Sequence, residues 1–242
     1  MILANDHSPG VIRGGIGAKQ LGVSALLALL VGCASTTPSA TTDSKYQNLM
    51  ATARLAFHHP RLPEPTVASV EAKPFYQLEA ISPDGQAILN MAGEEGDLQG
   101  WYGPAGQAIF LEHGLVVRTI GLKQNLDDTH WPSENPFAAG LQTLPSNFNG
   151  VRVVDWSPGY RYGVPEDVHL MAAGMEDVNI LGSIHHLQRI DETVSAPIAG
   201  FVARNHYWVD PADGFIWKSH QVVVPGLTLD LIQLRPYRKG KP

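Results

Sequence analysis

The 242-residue chain contains one cysteine, and its setting suits lipid chemistry better than thiol chemistry. Cys33 closes the stretch Leu30-Val31-Gly32-Cys33. A lipoprotein signal peptidase needs small residues before the scissile bond and, just after it, a cysteine that already carries diacylglycerol. With its only thiol acylated, the mature chain has none left for a disulfide or a nucleophile. Other reactive residues form weaker patterns. Gly182-Ser183 lacks the second glycine of a nucleophile elbow and has no helix after it. His185 and His186 are adjacent, so on a strand they face opposite sides. His58 and His59 precede Pro60 at an expected helix end. No spaced histidine triad or His-Glu-x-x-His completes a zinc set. The pairs Glu94-Glu95, Asp127-Asp128 and Glu166-Asp167 read as solvated loop residues. A glycosidase pair is defined by separation in space, which sequence spacing does not reveal. The expectation is therefore no catalytic residues, no metal and no cofactor.

Aromatic residues offer a softer signal. Trp101, Tyr102, Trp156, Tyr160, Tyr162, Tyr207, Trp208 and Trp217 could stack on the apolar faces of sugar rings, although a small β core packs with the same residues. The segment Asp155-Trp156-Ser157-Pro158-Gly159-Tyr160-Arg161-Tyr162 combines a proline, a glycine and two charges, which marks a surface loop. Trp156, Tyr160 and Tyr162 are thus the candidate contacts for carbohydrate or a partner protein. At the C-terminus, Arg235, Arg238, Lys239 and Lys241 could meet lipid phosphate or an anionic polysaccharide, or form a frayed basic end.

The elements that position these residues begin with the leader. Arg13 and Lys19 precede the apolar run Leu21–Val31, the layout of a secretory signal over residues 1–32. The run falls short of the roughly 20 apolar residues that span a bilayer. Residues 33–44 are small and polar and read as a flexible tether. Two or more acyl chains on Cys33 would make a stable membrane anchor. Ala34 replaces the aspartate that in enteric bacteria argues for inner-membrane retention, so the expected address is the outer membrane, facing the periplasm. The formal charge is −6, and removing residues 1–32, with Asp6, Arg13 and Lys19, leaves −7. That balance argues against nucleic acid as a partner.

Residues 45–242 read as one domain, mainly β. Tyr46, Leu49, Met50, Ala53 and Phe57 recur at helical spacing and predict an N-terminal helix ending at Pro60; prolines 60, 63, 65 and 74 then predict an extended connector. Strands follow at 75–81, 86–91, 98–102, 107–111, 115–120, 151–156, 168–173, 178–190, 205–209, 215–222 and 227–234, punctuated by Ser82-Pro83-Asp84-Gly85 and Gly103-Pro104-Ala105-Gly106. Residues 125–136 read as a polar loop and 137–144 as one or two helical turns. If Val209 opposes Phe215, Tyr207 opposes Trp217. The expected architecture is a curled antiparallel sheet forming a sandwich or a partly open barrel.

The C-terminal hairpin adds a resemblance. Asn205-x-Tyr207-Trp208-Val209-Asp210, then Gly214-x-Ile216-Trp217-Lys218-Ser219-x-Gln221, then Arg235-Pro236-Tyr237 resembles the YjbF family of lipoproteins. Upstream, Gly114–Leu122 is similar to that family's strand and turn ending in Thr119-x-Gly121-Leu122, with Trp101 before it. The resemblance implies a non-catalytic lipoprotein of exopolysaccharide or group 4 capsule secretion or assembly. It further implies a periplasmic β-rich partner and an outer-membrane β-barrel, with lipid on Cys33 as the one role carried over by residue. Two other readings stay open from the residues alone. One is a periplasmic lipid or lipoprotein carrier, which needs an apolar cavity of roughly a few hundred cubic ångströms; the other is a periplasmic polysaccharide hydrolase, which needs a carboxylate pair in a cleft.

Overall fold

The computed structural model describes residues 63–238. Cys33, the tether and the predicted helix before Pro60 lie outside the described residues. Twelve strands follow one another in the chain. They are β1 (Gln77–Ser82), β2 (Gly85–Glu95), β3 (Leu98–Tyr102), β4 (Ala108–Glu112), β5 (Leu115–Ile120) and β6 (Asn125–His130), then β7 (Asn147–Ser157), β8 (Arg161–Ile180), β9 (Ser183–Ala196), β10 (Phe201–Val209), β11 (Ile216–Val224) and β12 (Leu227–Arg235). All pairings are antiparallel, in the order β5-β4-β3-β2-β1-β12-β11-β10-β9-β8-β7-β6. The sheet is therefore a meander whose first and last strands pair, leaving its free edges on β5 and β6, neighbours in sequence.

That seam is closed by side chains. Leu126 N–H donates to Thr119 Oγ1 at 2.9 Å and Arg118 Nε donates to the Asp127 carbonyl at 3.1 Å, joining the two edge strands without a backbone ladder. From across the barrel, Gln221 Oε1 accepts from Val116 N–H and Gln221 Nε2 donates to the Gly114 carbonyl, both at 3.0 Å. Edge backbone groups that would otherwise lie buried and unpaired are thereby satisfied. Gly114 must be glycine here: its φ is +84° and a Cβ would lie 2.7 Å from Ile216 Cδ1.

Strand alternation fills the interior. Along β10, Phe201, Ala203, Asn205, Tyr207 and Val209 are buried while Val202 and Arg204 are exposed. One end of the core gathers Trp101, Leu126, Trp156, Phe201 and Val224. At the other, α2 (Pro136–Ala139) and the turn Leu141–Thr143 insert Phe137 and Leu141 among Leu170, Ile190, Tyr207 and Ile216. Asn135 caps α2 through its Oδ1, which accepts from Phe137 N–H at 3.0 Å.

Several local expectations change. Residues 125–130 form β6 where a polar loop was predicted, because Asp127, Thr129 and His130 line a sheet edge that tolerates polar residues. The predicted strands at 168–173 and 178–190 merge differently: β8 runs unbroken to Ile180 and turns at Leu181-Gly182, both at positive φ, in a two-residue hairpin turn. Asn179 Oδ1 accepts from Gly182 N–H at 2.9 Å and supports it. Val209 opposes Ile216 where Phe215 was expected, and a bulge between Trp208 and Val209 shifts the register by one more residue; Tyr207 therefore faces Ser219, and the predicted Tyr207–Trp217 pair does not form. Within the predicted extended connector, a single helical turn, α1 (Val67–Glu71), is held by a reciprocal capping box between Thr66 and Ser69.

Candidate functional site

The turn between β7 and β8 separates the three predicted aromatic contacts. Trp156 shares the inward parity of Arg152 and Val154 on β7; it is 5% exposed and packs at 6.5 Å from Phe201. It belongs to the core and presents no ring face to solvent. Tyr160 and Tyr162 are 75% and 62% exposed, their centroids 6.4 Å apart and their planes inclined by 36°. Tyr160 adopts φ +49°, a region disfavoured for bulky side chains and tolerated within this turn. The turn is braced: Gly163 N–H donates to Asp155 Oδ1 at 2.6 Å, and the Ser157 hydroxyl donates to Asp127 Oδ1 at 2.9 Å. Two exposed rings on a braced turn can stack on the apolar face of a sugar.

A second polar constellation lies inside the barrel. Arg152 Nε donates to Glu166 Oε2 at 2.6 Å and Arg152 Nη1 donates to Glu192 Oε1 at 2.9 Å. Glu192 Oε2 accepts from Asn205 Nδ2 at 2.6 Å and from the Tyr207 hydroxyl at 2.8 Å. Asn205 Oδ1 in turn accepts from Val222 N–H at 2.8 Å, where the β11–β12 pairing slips. The network thus links five consecutive strands, β7 to β11. Glu166, expected as a solvated loop residue, has a wholly buried side chain here. Its inward place follows from the alternation Val164, Glu166, Val168, Leu170 along β8. That apolar alternation, and Ile190, Glu192, Val194 on β9, were the available sequence signals.

The electrostatics reflect dehydration. Burial raises the Glu166 pKa, and the Arg152 charge and hydrogen bond offset this only in part. For Arg152, burial acts to lower the pKa, but Glu192 and then Glu166 overcome it and hold the guanidinium above its usual value. The Tyr207 phenol is raised by burial first and by Glu192 second. A cavity of about 10 Å³, room for one water, adjoins Arg152, Asn205 and Gln221. Two carboxylates clamped to one guanidinium and shut off from solvent can cross-brace strands but cannot reach a glycosidic bond. The apolar cavity required of a lipid carrier is likewise not found among the described residues, whose interior side chains fill the barrel.

The outer face of β9 to β12 carries a row that sequence reasoning did not assemble. Asp191, His206, His220 and Asp230 lie in cross-strand register, with Trp208 and Lys218 beside them. The basic tail is also placed: Arg238 stacks on Phe215 and Trp217 and pairs with Asp210 and Asp213, and Arg235 donates to the Lys73 carbonyl. Both arginines are engaged within the chain. Lys239 and Lys241 lie outside the described residues.

Comparison with known proteins gives two results of use. Residues 50–234 match the family described as group 4 capsule polysaccharide lipoprotein gfcB, YjbF. Among solved structures, the hypothetical lipoprotein YmcC from Escherichia coli superposes with a TM-score of 0.65 at 17% identity, over 84% of this chain and 100% of that one. That likeness concerns the fold. A lipoprotein from Parabacteroides distasonis superposes with a TM-score of 0.32 at 8% identity, over 66% of this chain and 92% of that one. No curated protein matches.

Proposed function

The chain belongs to the YjbF family of group 4 capsule polysaccharide lipoproteins, and from that premise we propose that it is a non-catalytic lipoprotein of the outer membrane, facing the periplasm, that acts in capsule or exopolysaccharide secretion or assembly. Acylated Cys33 is its anchor. Residues 33–44 form the tether, and the β domain after it works beside a periplasmic partner and an outer-membrane β-barrel. The family match over residues 50–234 carries this reading. A closed meander with a filled core supports a binding or scaffolding role, because any ligand must meet outward side chains and turns. The exposed Tyr160 and Tyr162 are the proposed contacts for polysaccharide or partner.

The test is a deletion strain complemented with the wild type or with Cys33→Ala, scored for surface and secreted polysaccharide. Loss on deletion that only the acylatable protein restores is the expected result. Unchanged polysaccharide on deletion, under conditions where the polymer is made, sinks the reading. Normal export with Cys33→Ala would remove the anchor from the mechanism.

A further inference from the structure

Two histidines stand side by side on the outer face of the barrel, each held by a carboxylate on its far side. His206 on β10 is paired directly with His220 on β11, and their ring centroids are 6.0 Å apart with planes inclined by 31°. His206 Nδ1 lies 2.8 Å from Asp191 Oδ1 on β9, and His220 Nδ1 lies 2.7 Å from Asp230 Oδ1 on β12. The strand order puts these carboxylates on the two outer flanks of the pair.

This arrangement decides three properties of the rings. First, a carboxylate accepts only, so each Nδ1 carries the proton and each neutral ring keeps its lone pair on Nε2. Second, Nε2 lies across the ring from Nδ1. Turning both Nδ1 atoms to the flanks therefore turns both Nε2 lone pairs toward the gap between β10 and β11. Third, the rings are only partly covered, with side-chain exposures of 34% and 33%, so the gap is open to solvent. Asp191 is itself fixed: Arg189 donates to both of its oxygens, through Nε at 2.8 Å and Nη2 at 3.1 Å. Glu176 and Trp208 extend the scaffold, since Glu176 accepts from Arg189 at 2.5 Å and from Trp208 Nε1 at 2.7 Å.

We propose that His206 and His220 form a two-histidine site for a divalent transition-metal ion of the zinc or copper class, with Asp191 and Asp230 orienting the ligands and water completing the coordination. Imidazole nitrogen suits these borderline ions and not magnesium or calcium, which take oxygen ligands. A histidine that ligates such an ion characteristically gives its other ring N–H to a carboxylate, and here both rings already do. Each metal–nitrogen bond is about 2.1 Å, so the two rings need only lean toward one another across the gap. With two protein ligands the ion keeps open positions, which a second molecule's carboxylate or imidazole can fill. The site lies on rigid paired strands, with the bulge at Trp208/Val209 setting the register that makes the histidines face each other.

The experiment is a calorimetric titration of the full-length acylated lipoprotein in detergent, without a polyhistidine tag, using zinc chloride, copper(II) sulfate and, as a control, magnesium chloride. Saturable binding of one zinc or copper ion per chain is expected, with no magnesium binding. Either His206→Gln or His220→Gln alone should abolish it, and Asp230→Asn should weaken it by about 10–100-fold. His186→Gln, which removes a histidine bonded to Asp177 in the same manner, should leave it unchanged. Thermal melting without metal confirms that each variant is folded; His206→Ala and His220→Ala replace any glutamine variant that is not. Absence of saturable zinc and copper binding, or binding that survives loss of either histidine, overturns the proposal.

Discussion

Removing the guanidinium at the centre of the buried network should cost the fold more than any other single truncation of a polar side chain. In Arg152→Ala, the fully buried carboxylates of Glu166 and Glu192 lose the guanidinium that pairs with both, while Glu192 keeps its bonds from Asn205 and Tyr207. Breaking a buried ion pair from one side costs about 3–5 kcal/mol. At about 2–4 °C per kcal/mol for a domain of this size, melting should fall by about 6–20 °C. The loss should depend on pH. Burial holds the Glu166 pKa above its ordinary 4.5 even beside Arg152, so ionising it disfavours the folded state. Stability tied to this group is present below 4.5 and is lost as pH rises through the folded value. Without Arg152 that value climbs further, so the deficit relative to wild type should be largest at pH 7 and should shrink as pH falls toward 4.5. Melting followed by circular dichroism at pH 7 and pH 5 measures both effects. Arg152→Met, which keeps most of the volume, separates lost packing from lost charge and should show nearly the same deficit. A deficit below about 1 kcal/mol, or one equal at the two pH values, refutes the argument that two dehydrated carboxylates depend on this cation.

Other consequences follow from the turns and the tail. Gly114→Ala adds a Cβ 2.7 Å from Ile216 Cδ1 at φ +84° and should destabilise the fold by about 2 kcal/mol, read as a lower denaturation midpoint in urea. Arg238→Ala removes a guanidinium stacked on Phe215 and Trp217 and paired with Asp213 at 2.6 Å; it should cost about 1 kcal/mol at low salt and speed carboxypeptidase trimming of the tail. Tyr160→Ala and Tyr162→Ala should leave melting within about 0.5 kcal/mol of wild type, since both rings are exposed. Each should weaken polysaccharide binding about fivefold in affinity electrophoresis if it contributes a stacking face worth about 1 kcal/mol; unaltered mobility shifts in both variants would argue against the turn as a contact.

The strands with strong local signals were legible in the sequence, and β3 and β5 run over Leu98–Tyr102 and Leu115–Ile120 as the flanking turns Gly103-Pro104-Ala105-Gly106 and Glu112-His113-Gly114 predict. What stayed hidden depends on partners distant in the chain. β6 looks like a loop because it lies at the seam, where only Leu126 must be buried. The β8–β9 turn escapes notice because Leu181-Gly182 lacks the usual asparagine or aspartate, and Asn179 supplies the polar support from two positions earlier. Glu166 sits between Pro165 and Asp167, a composition that suggests solvent; only the apolar residues at even positions around it show which face it shares. Of the aromatic candidates, strand parity alone would have moved Trp156 inward with Val154. The exposure of Tyr160 and Tyr162 follows instead from their places on the hairpin turn and at the start of β8 beside it. The histidine row illustrates the same limit: without the bulge before Val209, the register sets His206 opposite Ser219, and the ligand pair never appears.

The division between inner and outer polar groups explains how such a barrel can bind without being a container. Its strands pair with their chain neighbours almost throughout, and β1 closes onto β12; where backbone pairing fails, at the seam and at the slipped β11–β12 register, buried side chains take its place. Gln221, Thr119 and Asn205 sit at those points, each accepting from a backbone N–H. Their substitution should therefore act on folding. Outward residues at the Tyr160 turn and along the His206–His220 row bear no such duty to the ladder, and the cross-strand histidine–carboxylate hydrogen bonds around them are partly solvated and individually worth little. A substitution there can change binding while leaving stability nearly intact, so stability-neutral variants that lose function should map to the outer face and the turns. Variants at Arg152, Glu192 or Asn205 should lose protein and function together.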